Sequence, residues 1–72
     1  MITLDAQLLA AHAAHDGNAL VTLYAQAADD APDTDSACFY LTHAYVFALE
    51  LGHADTATLR ARLVKHGREP SD

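Results

Sequence analysis

A 72-residue chain that is 51% hydrophobic and 19% charged is too apolar for a disordered tail and long enough for one domain at most. Its formal charge of −6 repels polyanions, so nucleic acid is not an expected partner. Sixteen alanines make much of the apolar content, and alanine adds little buried area, so the core should be thin and association with a copy or a partner is expected.

Four helices can be read along the chain, and nothing suggests a strand. The first is expected from about Leu4 to His15, with Thr3 as N-cap and Gly17 as its stop. Leu4, Leu8 and Ala11 share one of its faces, and Ala6, Leu9 and Ala13 another. Asn18 can then cap a second helix, Ala19 to Asp29. Its Leu20, Leu23, Tyr24, Ala27 and Ala31 follow helical spacing, with Thr22, Gln26, Asp29 and Asp30 opposite.

Pro32 breaks the chain within DDAPDTDS, a loop rich in possible N-caps. The third helix is expected from Ser36 to Leu51, ending in the Gly52–His53 turn. Cys38, Leu41, Ala44, Tyr45, Ala48 and Leu49 form a broad apolar face, extended by Tyr40, Phe47 and Leu51 on one flank. Phe39 and Val46 lie on the far flank, and Ser36, His43 and Glu50 leave only a narrow polar strip. A helix apolar nearly all round lies centrally or at an interface. The fourth helix is expected from Asp55 to His66, with Ala57, Leu59, Leu63 and Val64 inward, and with Gly67 and Pro70 ending it.

Charge is divided unevenly. Eight acids and no lysine or arginine occupy residues 1–59, while Arg60, Arg62, Lys65 and Arg68 fall within nine residues. Cations are favoured near a helix C-terminus, which accounts for the basic cluster without an anionic partner. The lone Cys38 excludes an internal disulfide and favours a reducing, cytoplasmic setting. The opening MITLDAQLL lacks the basic region of a signal peptide. The most apolar run, Ala37 to Leu49, is interrupted by Thr42 and His43 and too short to span a bilayer, so no membrane role is expected.

Gly17 and Gly52 stand 35 residues apart, each between helical stripes, a period typical of helical-hairpin repeats. The run Ala44-x3-Ala48-x3-Gly52-x-Ala54-x2-Ala57, continuing through Leu59, Ala61, Leu63 and Val64 to Gly67 and Pro70, resembles a tetratricopeptide-type repeat. The stretch HDGNALVTLYAQAADDAP resembles the turn and second helix of another unit, and the resemblance spans roughly residues 4–70. It implies an all-α domain over residues 1–72, with two antiparallel hairpins (about 4–31 and 36–67) in a right-handed stack. It also implies protein–protein interaction through a groove lined by first-helix faces, here Phe39, Tyr40, His43, Phe47 and Glu50. The same surface could instead be a homodimer interface. The first helix lacks the family's early large aromatic, and two units are fewer than the three that usually sustain such arrays. A generic four-helix bundle, acting only as a small structural oligomerising unit, is the alternative.

Five histidines raise the question of metal. His12 and His15 stand three residues apart, with Asp16 and Asp5 toward the same sector, but the spacing matches no established zinc pattern. No metal or other cofactor is expected, with His12, His15 and Asp16 the residues to watch. His43 and Glu50, seven residues apart, could be an acid–base pair or a wet polar strip. No nucleophile is arranged with a base, so enzyme activity is not expected.

Overall fold

The computed structural model describes residues 3–68. Four helices follow one another, α1 (Leu4–Ala13), α2 (Gly17–Asp30), α3 (Thr34–Leu51) and α4 (Thr56–Lys65). Pro70 lies outside the described residues.

Side-chain caps fix the starts of the first three helices. The Thr3 hydroxyl accepts the Ala6 amide at 3.1 Å, as its position in the sequence suggests. Asp16, rather than Asn18, caps α2 by accepting the Ala19 amide at 3.2 Å. Asp33 caps α3 through the Ser36 amide at 2.7 Å, so the helix begins two residues earlier than expected. The α4 N-cap, Asp55, makes no side-chain cap bond. Instead its own amide donates to His53 Nδ1 at 2.9 Å, and the Thr56 hydroxyl donates to the His53 carbonyl at 2.7 Å.

The ends of α1, α3 and α4 share one geometry. In each, a left-handed residue donates to a carbonyl three residues back, and the next amide reaches five back. Gly52 and Gly67 hold that position at φ 63° and 74°. At the end of α1 it is held by His15, at φ 54°, which corrects the expectation that Gly17 stops this helix. Gly17 is instead the first residue of α2 and permits a close approach: a Cβ there would lie 2.9 Å from Leu51 Cδ1.

The broadest interface is between α2 and α3, with smaller ones joining α1 to α2 and α3 to α4. Only Ala31, Pro32 and Asp33 separate α2 from α3, which makes them antiparallel neighbours. This pattern fits a generic bundle at least as well as a tetratricopeptide-type stack. The main core cluster joins Val21 and Ala28 of α2, Cys38, Leu41, Ala44 and Ala48 of α3, and Leu59 and Leu63 of α4.

No aromatic side chain is fully buried among the described residues, and α1 contributes only Ala11. The Cα envelope measures 37 × 29 × 13 Å. Its short dimension is that of two helix axes about 8–10 Å apart plus the ~2.3 Å Cα radius on each side. Two layers are the whole thickness, which is why small residues make up so much of the core.

Two expected core positions are exposed and one unexpected residue is buried. Leu49, placed by spacing on the inner face of α3, is 54% exposed, because the buried arc runs through Cys38, Leu41, Ala44 and Ala48 and leaves Leu49 at its rim. Ala57 is exposed on α4. Val21, not singled out by spacing, is among the most buried side chains.

Two ion pairs bind the last part of the chain to the acidic body. Arg62 on α4 donates to Asp29 at the end of α2 at 2.6 Å, and Arg68 donates to Asp35 in the first turn of α3. The basic cluster therefore does more than complement a helix dipole, since two of its members reach acids 33 residues away.

Candidate functional site

The five residues expected on the contact surface all lie on α3. Projected at 100° per residue, Phe39, His43, Val46 and Glu50 follow 4-3-4 spacing along the line opposite the buried arc. Phe39 is 58% exposed and Val46 45%, with Leu49 and Thr42 exposed on one border of this line. On the other border Phe47 and Tyr40 are half-buried and lean on the core.

Tyr40, His43 and Phe47 are brought together by Tyr24 of α2, a residue not singled out as functional in the sequence. The Tyr24 ring stacks on His43 with centroids 5.1 Å apart and on Phe47 at 6.0 Å, and lies 6.3 Å from Tyr40. Phe39 joins through His43 at 4.5 Å and Tyr40 at 5.4 Å. From α1, His12 packs edge-on against both Tyr24 and Phe47 at 5.9 Å, and its Nε2 is 2.9 Å from the Tyr24 hydroxyl. Ring pairs contribute about 0.5–1.5 kcal/mol each beyond area burial, so this ribbon supplements a thin core. A signal for Tyr24 did exist: it is the one aromatic in the first half of the chain.

The polar groups of the α3 face have defined roles. The neutral backbone carbonyl of Phe39 lies 2.9 Å from His43 Nδ1. A carbonyl can only accept, so Nδ1 carries the proton and the lone pair of the neutral ring is on Nε2. Thr42 donates to the Cys38 carbonyl at 2.8 Å. Glu50 is exposed and borders a depression of about 250 Å³ shared with His12, His15, Gly17, Leu20, Phe47 and Leu51.

A larger depression, about 450 Å³, lies at the other end of the face between Phe39, Thr42, His43 and the Asp35–Arg68 pair. The hydrogen bond from Arg68 to Asp35 raises the guanidinium above its ordinary pKa. The amide of Ser36 lowers the carboxyl pKa of Asp33.

The chain matches no protein-family model, no curated protein and no solved structure.

The donors grouped at the start of the chain are engaged in local structure. Asp16 caps α2, His12 meets Tyr24, and His15 occupies the left-handed turn position. Among the described residues, no three His, Cys, Asp or Glu side chains are grouped to hold a metal ion. Cys38 is buried in the core, a packing role for its thiol. No helix among the described residues is long and apolar enough to cross a membrane.

Proposed function

We propose that this protein is a small, non-catalytic structural bundle that self-associates through the outer face of α3. The observation that carries this reading is the placement of apolar side chains: Phe39, Val46 and Leu49 face solvent while the main core is filled by alanine, leucine, valine and cysteine. Solvent-facing apolar residues in 3-4 spacing on a long helix form a seam of the kind that packs on another helix. An isologous pair uses one such seam twice. The seam is also the face where a −6 chain can approach a copy of itself with least repulsion, since Glu50 is its only carboxylate not paired to a base in or beside it.

The expected affinity is modest. Covering three half-exposed side chains contributes roughly 1 kcal/mol each, so on the order of 6 kcal/mol for a symmetric pair, before the flanking rings are counted. Association costs at least about 4 kcal/mol. These three side chains alone leave about 2 kcal/mol, a Kd of tens of millimolar, so a dimer in the micromolar to millimolar range needs at least about 2 kcal/mol more from the flanking Tyr40, His43 and Phe47 rings. Peptide capture of the tetratricopeptide type has less support, because the dominant α2–α3 interface suits a generic bundle at least as well.

Sedimentation equilibrium over about 10 μM to 1 mM tests the reading. The wild type should be a reversible dimer, and Val46→Asp should be monomeric with unchanged helical circular dichroism. A monomeric wild type across that range, or a Val46→Asp protein that associates equally well, refutes it.

A further inference from the structure

We infer that the two copies pair with their α3 helices antiparallel about a two-fold axis near Val46, and that this pairing takes up protons at His43. The inference rests on the self-association proposed above and adds its orientation and regulation.

Two polar side chains stand on the central line of the seam. Glu50 and His43 are separated by seven residues, close to two helical turns, so they project from nearly the same side of α3. Their midpoint falls between Val46 and Phe47. In a parallel pair, each Glu50 would stand beside the other copy's Glu50, placing like charges together in an otherwise apolar contact. In an antiparallel pair centred near Val46, each Glu50 instead comes opposite the other copy's His43. The two apolar centres then meet in the middle. The seam is thus complementary to itself in one orientation and repulsive in the other.

The tautomer of His43 makes this pairing sensitive to protons. Nδ1 is committed to the Phe39 carbonyl at 2.9 Å, so neutral His43 offers Nε2 only as an acceptor. A carboxylate is also an acceptor, and the two cannot bond until Nε2 gains a proton. Each contact therefore forms an Nε2–H···O bond with uptake of one proton from solvent, two per dimer. The groups facing His43 are the Tyr24 ring from α2, Phe39 from its own helix, and the Asp35–Arg68 pair, which shares its depression and is internally neutralised. None supplies a free carboxylate that would satisfy the protonated ring within one copy. Glu50 shares its own depression with His12, which is bonded to the Tyr24 hydroxyl, and with His15, both of which His43→Gln leaves in place. A dimer that binds more protons than two monomers tightens as pH falls through the histidine range and loosens as pH rises.

Sedimentation equilibrium at pH 8 and pH 6, at fixed ionic strength, tests the inference on wild type, His43→Gln, Glu50→Gln and His43→Lys. Lower pH also reduces the general negative charge through the other four histidines, and His43→Gln measures that background. Two exposed ion pairs should make the wild-type association constant rise about tenfold more than this background between pH 8 and 6. Glu50→Gln, which leaves the ring ribbon intact, should lose the same increment. His43→Lys should already carry the increment at pH 8 and gain only the background between pH 8 and 6. A dimer whose pH response is the same in the wild type and both Gln variants overturns the inference and leaves self-association standing. Tighter association of Glu50→Gln than wild type at pH 6 overturns the antiparallel orientation. A wild type monomeric at both pH values overturns the inference and the self-association it rests on.

Discussion

His15 and Gly52 hold the same backbone position at the ends of α1 and α3, so exchanging their chemistry should move stability in opposite directions. At Gly52, φ is 63° and a Cβ would find no atom within 4 Å, so Gly52→Ala meets only the backbone penalty. A non-glycine residue in the left-handed region costs about 1–2 kcal/mol, offset by about 0.4–1 kcal/mol from the stiffer unfolded chain. The net loss is then on the order of 1 kcal/mol, or about 4–8 °C in Tm for a domain this small. His15→Gly runs the balance backwards and should raise Tm by a few degrees. Gly17→Ala is the control: its φ is not positive, and the atom a Cβ would meet at 2.9 Å is the methyl end of the half-exposed Leu51, which can swing aside. Its effect should be within about 0.5 kcal/mol of zero. The assay is thermal unfolding followed by circular dichroism at one protein concentration, since association would shift Tm. If Gly17→Ala loses as much as Gly52→Ala, or His15→Gly is destabilising by a similar amount, the assignment of these turn positions is wrong.

Other perturbations probe the core, the caps and the rings. Leu41→Ala, at a site with no solvent exposure, should lose about 2–5 kcal/mol in urea unfolding, a large part of the total stability of a chain this short. The lowered pKa of Asp33 means its cap stabilises α3 above the ordinary carboxyl value of 3.8 and is lost as pH falls through the lower folded value. An acid titration of helicity should show Asp33→Asn removing part of the loss below pH 4 seen in the wild type. Tyr24→Phe keeps the rings but deletes the bond to His12, so it should lose only about 0.5–1.5 kcal/mol in urea unfolding, whereas Tyr24→Ala should lose clearly more.

The helices were legible because their signals are local. Apolar spacing located all four, and Thr3 and Gly52 were recognisable as a cap and a left-handed stop. Gly17 misled because glycine is the usual residue for that stop. Here histidine, one of the few side chains that tolerate the conformation, takes it, and the glycine serves contact with Leu51 from a helix 34 residues away. That role depends on how α2 and α3 meet, which no local pattern encodes. The same limit applies to the site. The composition of the α3 face could be read from spacing, but its assembly around Tyr24 could not, because the hub lies on a different helix. The ion pairs of Arg62 and Arg68 were hidden for the same reason. A cluster of bases suggests a helix end, whereas its acids come from α2 and α3.

The three-residue connection between α2 and α3 also bears on how the chain folds. Closing so short a loop costs little entropy, and it joins the two helices that share the broadest interface. The α2–α3 hairpin should therefore form early and quickly, as expected where most contacts are near in sequence. With only Ala11 buried from its own length, α1 should dock late and open first. Amide hydrogen exchange would then run fastest in α1 and slowest along the facing sides of α2 and α3.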